Sequence, residues 1–170
     1  KFQRSVEEVL VSPVPNAILL GGFIVGGMVR GLLVGAIVTV MALMFVDLQI
    51  QHPIITITVI LLTAVVFSLA GFINALFANS FDDISIIPTF VLTPLIYLGG
   101  VFYSSSLLPP FWQSVSALNP IFYMVNSFRY GFLGVSDVSV GPAFVILTLF
   151  GVVLFSVCLV LLNRGTGLRS

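Results

Sequence analysis

The stretch LNPIFYMVNSFRYGFLG, residues 118–134, decides how this chain is read. It is apolar and aromatic enough to lie in a membrane. It also holds Asn119, Pro120, Asn126, Arg129 and two glycines, which a spanning helix normally avoids. With the residues before it, the stretch divides into two helix-like pieces, about 111–118 and 121–132, separated at Asn119-Pro120. Each falls short of the roughly 20 apolar residues that cross a bilayer. The geometry that fits is a re-entrant or interface-lying hairpin over 104–132, its backbone polar groups shielded by protein. Arg129 then faces the outer boundary or a groove rather than lipid. Tyr103, Trp112, Tyr123 and Tyr130 belong to the aromatic class that gathers at membrane interfaces.

Composition agrees with a lipid environment. Of 170 residues, 59% are hydrophobic and 7% charged, where a soluble domain carries about 25% charge. Six basic and six acidic residues cancel, which excludes the clustered cationic face that nucleic acid requires. One cysteine, Cys158, allows neither an internal disulfide nor a zinc cluster, and reads as a small apolar packing residue. The opening KFQRSVEEVLVSP has no apolar h-region or cleavage site, so it is not a signal peptide. A chain that opens on Lys1 in such a segment is expected to be the tail of a longer protein.

Four apolar runs suit an all-α polytopic membrane protein: 17–46, 54–78, 86–103 and 142–162. Short polar breaks at 47–53 and 79–85 separate the first three, and the long break 104–141 contains the hairpin. Lys1 and Arg4 precede the first run, and Arg164 and Arg169 follow the fourth. Basic flanks mark the cytoplasmic side, and an even number of spans returns the chain to it. Both ends are therefore expected inside, with 47–53 and 104–141 outside.

Counting back about 20 residues from Asp47 places Arg30 within a turn of the inner edge. There it reads as a snorkelling anchor or as a cationic contact in a polar groove, and 17–26 as a surface or tilted extension. Small residues recur at every fourth position, Gly22 and Gly26, then Gly27, Gly31 and Gly35. Such stripes allow close helix packing, within one subunit or between two.

Catalytic chemistry has no support. The aspartates fall in breaks, and His52 lies beside Pro53 in a loop with no second metal ligand. No G-x-S-x-G, H-E-x-x-H or G-K-[ST] motif occurs. The serines at 104–106 read as a polar cap where a helix leaves the membrane. The spans also lack the mid-membrane ionisable groups of an ion-driven carrier, so energy for any transport must enter from elsewhere.

Three further segments have mechanical character. Residues 1–13 read as a short amphipathic inner-surface helix ended by Pro13, with Val6, Val9 and Leu10 on one face. It is either a plain surface helix or a lever pushed by a cytoplasmic partner. Asp82 and Asp83 sit at the start of the third helix, where acidic residues complement the helix dipole. Pro88 and Pro94 bend that helix, and Gly99 and Gly100 follow near its outer end.

The run LTPLIYLGGVFYSSSLLPPFWQSVSALNPIFYMVNSFR, 92–129, resembles the conserved region of ABC-2 type transporter permeases. The pattern comprises Leu92, Leu95, Leu98, Gly99, Leu108 and Pro109, then PIFY at 120–123 and Arg129. Residues 1–14 look like the family's cytoplasmic coupling helix, and FDDIS resembles its next inner loop. The resemblance covers essentially 1–170, is closest to bacterial inner-membrane permeases of drug and polysaccharide export, and implies spans three to six of six. It implies a second permease subunit in a homodimer and a separate ATPase subunit holding ATP and Mg, with no cofactor, metal or catalytic residue in this chain. Arg4, Glu7, Glu8 and Pro13 would couple to the ATPase. Pro94, Gly99, Gly100, Pro109, Pro120, Tyr123 and Arg129 would form the gate and outer hairpin. The expected function is export of a lipid, glycan or amphiphilic drug across the inner membrane. An ATP-independent channel or carrier, and a non-transporting scaffold, are the alternatives.

Overall fold

A computed structural model describes residues 14–46, 50–78 and 81–164. Helix α1 spans Asn16–Leu43 and α2 spans Pro53–Phe77, the latter started by a proline in its first turn. A broken helical run follows: α3 at Phe81–Ile87, a π-helical turn at Pro88–Leu92, and α4 at Thr93–Leu98. After a short 3₁₀ turn at Ser105–Leu107 come α5 at Pro110–Ala117, α6 at Pro120–Leu133 and α7 at Val140–Arg164. The described residues contain no strand, and the chain is an all-α polytopic membrane protein.

Three helices, α1, α2 and α7, are long and apolar enough to cross a membrane. Helix α2 is the centre, packing against α1, α6 and α7. Toward one end of the bundle, Leu19, Leu20 and Ile24 of α1 close on Leu69 of α2 and on Cys158 and Leu162 of α7. Toward the other end, Val59 and Val66 meet Met124 and Leu147. The Ser68 hydroxyl donates to the Ile24 carbonyl at 3.1 Å. Gly27 lies opposite it, and a Cβ there would collide with Ser68. One glycine of the α1 series thus serves packing within the chain, whereas Gly22, Gly26, Gly31 and Gly35 face open space. Val25, Val29, Leu33, Ile37 and Met41 are exposed on the same helix, as expected where the solvent is lipid.

One feature departs from the sequence expectation. The third run is helical over 81–98 rather than 86–103. Its start lies earlier, with Asp82 and Asp83 in the first turn, and it stops at Gly99 and Gly100, the latter at φ 75°. At about 1.5 Å per residue, the apolar segment Asp83–Leu98 reaches about 24 Å, short of the roughly 30 Å of a bilayer core. The prolines explain the irregular middle. Pro88 has no N–H to give Ile84, whose carbonyl accepts instead from the Asn74 amide at 3.0 Å. Thr93 caps the π turn with its N–H to the Pro88 carbonyl.

Residues 17–26 continue α1 without a break and contain Leu19, Leu20 and Ile24, the buried contacts to α2 and α7. Asn16 donates to Asn163 at 2.8 Å, so the start of α1 lies level with the end of α7. Arg30 lies about 21 Å along α1 from Asn16, near the middle of the helix.

Candidate functional site

The hairpin is built by its prolines and one asparagine. Pro109 precedes α5 and Pro110 opens it, and Pro120 opens α6, the position where a missing N–H costs least. Asn119 caps α6: its Oδ1 accepts from the Ile121 N–H at 3.0 Å. Its Nδ2 donates to the Leu95 carbonyl at 2.6 Å. That carbonyl lacks its usual helical donor because the Gly99 N–H turns to Ile96. The cap of the hairpin's second arm thereby ties it to the end of the bent helix. Tyr123 closes the hairpin by donating to the Ala117 carbonyl at 2.7 Å.

Nearly two turns further along α6, Arg129 gathers the remaining polar groups. Its Nη2 donates to the Gly100 carbonyl at 2.6 Å. Its Nη1 lies 3.4 Å from Oδ2 of Asp137, in the loop joining α6 to α7. Asp137 Oδ1 accepts from the Ser104 hydroxyl at 2.6 Å. Its Oδ2 accepts from the Ser105 N–H at 2.8 Å and the Ser105 hydroxyl at 3.2 Å. Burial pushes the Asp137 pKa up, but these serine hydrogen bonds and the Arg129 charge outweigh it. The net effect holds the carboxyl below its ordinary value. Asn126, itself buried, orients the loop: Oδ1 accepts from the Asp137 N–H at 2.9 Å, and Nδ2 donates to Phe122 O at 2.9 Å.

The loop before α2 docks on the same end. The His52 N–H donates to the Gly131 carbonyl at 2.9 Å, and the His52 ring stacks on Tyr130 at 4.7 Å. Gly131 lies against Thr56, where a side chain would not fit. An open groove of about 640 Å³ runs beside Tyr130 and the loop 134–140.

The structure thus brings Gly100, Arg129 and the Asn119-Pro120 turn together, and sets Gly99 against Ile121 and the Leu95 carbonyl. Pro109 and Tyr123 shape the hairpin, and Pro94 lies in the first turn of α4. Asp82 and Asp83 lie at the opposite end of the bundle, beside the Asn74 end of α2. Arg4, Glu7, Glu8 and Pro13 lie outside the described residues. Sequence reasoning missed Asp137 as a partner of Arg129. The available signal was an acid eight residues after the single arginine of the hairpin. Ser104 and Ser105 prove to be ligands of that carboxylate. Among the described residues no three His, Cys, Asp or Glu side chains gather as metal ligands would.

Comparison with known proteins gives the family of the chain. The chain is 55% identical over all 170 residues to the inner membrane transport permease YadH of Escherichia coli K12, covering 66% of that protein. The same identity and coverage hold for the permease of that name in Shigella flexneri. Nodulation protein J of Rhizobium leguminosarum bv. viciae is 25% identical over 162 residues, 95% of this chain and 62% of its own length. The chain thus spans just under two thirds of the relatives it matches. No solved structure matches it. The ABC-2 type transporter family matches residues 1–133, and the chain belongs to that family.

Proposed function

We propose that this chain forms part of the transmembrane permease of an ATP-driven exporter in the bacterial inner membrane. The cargo is a lipid, glycan or amphiphilic drug. A partner ATPase supplies the energy, and a second permease subunit, in a homodimer, completes the pathway. Both ends of the chain lie on the ATPase side. Residues 1–13 receive the ATPase stroke through Arg4, Glu7 and Glu8, with Pro13 ending the lever. The first turn of α3, with Asp82 and Asp83, lies at the inner loop on that same side.

One observation carries the reading. Two helices too short to span, α5 and α6, are locked by Asn119 and Arg129 onto the end of a proline-broken helix. Such an arrangement is suited to a gate: movement of the broken helix is passed to the hairpin through side-chain hydrogen bonds rather than through a continuous rod. Pro94, Gly99, Gly100, Pro109, Pro120, Tyr123 and Arg129 belong to that gate, and the hairpin re-enters from the outer side.

The test is reconstitution of the full-length permease with its ATPase in vesicles. Transport that requires ATP, and that Glu7→Lys with Glu8→Lys uncouples from hydrolysis, is the expected result. Passage of cargo without nucleotide would favour a channel, and unchanged transport in the double variant would sink the coupling role.

A further inference from the structure

Asn119 and the Arg129–Asp137 pair both tie the end of the broken helix to α6, but they differ in what surrounds them. Asn119 is 3% exposed; its Nδ2 reaches the Leu95 carbonyl at 2.6 Å while its Oδ1 caps α6. Gly99 lies against Ile121 beside it, so close that a side chain there would collide. Parting these groups would leave a buried amide without its acceptor. The second tie is a clasp, in which Arg129 and Asp137 hold Gly100, Ser104 and Ser105. Its two ionic side chains are 20% and 18% exposed, and Asp137 lines the open groove beside the loop 134–140. Once separated, both are taken up by water, which makes the clasp the less costly tie to break.

Each half of the clasp is also fastened to its own side. The strap 99–105 stays with α4, because the Tyr103 hydroxyl donates to the Tyr97 carbonyl at 2.6 Å. Asp137 stays with α6, because its N–H donates to the buried Asn126 at 2.9 Å. Helix α6 is in turn fixed to α2 through the His52 N–H and the close approach of Gly131 to Thr56. The seam between these two bodies therefore runs between the strap on one side and Arg129 and Asp137 on the other. Arg129 lies ten residues beyond Asn119, about 15 Å along α6. Over that arm a rotation of about 4° moves the clasp by about 1 Å, enough to carry its bonds past hydrogen-bonding distance.

We infer that the Arg129–Asp137 clasp is the releasable closure of the hairpin end, and that Asn119 is the pivot on which it opens. Release lets the strap swing away from the loop between α6 and α7 together with α4, widening the groove beside Tyr130. The role of that movement in transport rests on the exporter reading, whereas the movement itself is a property of these residues.

The experiment measures spin-label distances in the full-length permease, freed of other cysteines and held in phosphatidylcholine nanodiscs. One label pair, Val101→Cys with Val135→Cys, spans the clasp; the other, Ile96→Cys with Leu118→Cys, spans the pivot, and all four positions are exposed. Asp137→Asn is expected to raise the longer-distance population of the clasp pair about tenfold, while the pivot pair keeps its distance. Ser104→Ala with Ser105→Ala, which leaves both charges in place, should move the clasp pair in the same direction. The inference is overturned if both variants leave the clasp pair unchanged. It is equally overturned if the pivot pair lengthens or broadens along with the clasp pair, since the hairpin would then come away as a whole. Addition of the partner ATPase and ATP should populate the longer clasp distance in the permease with its clasp intact. Opening in the two variants without any response to ATP would remove the ATP-driven reading and leave the clasp and pivot standing.

Discussion

At the scale of the residue, Arg129 and Asp137 show how two partly buried charges become a joint. Neither is held by the other alone: the guanidinium also binds a carbonyl, and the carboxylate takes three donors from Ser104 and Ser105. At 3.4 Å the ion pair itself is loose, so the hydrogen bonds carry most of the stabilisation. Arg129→Gln is expected to loosen the hairpin by about 1–3 kcal/mol, read as earlier unfolding in mixed micelles. The pH dependence follows from the lowered Asp137 pKa. A depressed carboxylate stabilises the fold above its ordinary value of 3.8 and loses that contribution as pH falls through its folded value. Hairpin stability should therefore be level near neutrality and fall below about pH 4. Asp137→Asn should remove that acid limb, and an unchanged limb in this variant would assign it to another group. Arg129 was legible in the sequence because a lone cation in an aromatic segment demands an explanation. Asp137 was not, because a loop aspartate usually needs none.

At the scale of the element, the breaks in the helices carry as much information as the helices. Pro88 and Asn119-Pro120 announce a bend and a turn from sequence alone, since proline withholds an N–H wherever it stands. What the freed carbonyls do is settled by neighbours: Asn74 takes Ile84, and Asn119 takes Leu95. The glycines of α1 divide in the same way. Spacing makes all of them candidates for close packing, but only the register of α2 tells that Gly27 meets Ser68 while Gly22 does not meet anything. Gly27→Leu should weaken the α1–α2 contact by about 1–3 kcal/mol, whereas Gly22→Leu should leave it unchanged. Steric-trap or detergent unfolding of the two variants side by side checks this, and equal losses would contradict the packing described.

At the scale of the whole molecule, the bundle has a hairpin end and an end marked by Asn16, Asn163 and Arg164. If the hairpin is the outer gate, cysteines at the exposed Leu118 and Leu133, in a Cys158→Ser background, should react with an impermeant maleimide added outside intact cells. Reaction only after the cytoplasmic side is opened would reverse the orientation. The apolar runs, the missing charge and the two short helices of the hairpin were determined by the sequence by itself. Each depends on local composition and on the backbone chemistry of proline, glycine and asparagine. Level and partnership were decided only by the tertiary structure. The apolar run of α1 does not say which residue of α7 it starts beside, whereas a hydrogen bond between residues 147 positions apart, Asn16 and Asn163, sets that level. The physical reason is that a helix's length is a property of its own residues, while its position along its neighbours is fixed by side-chain contacts between segments remote in the chain.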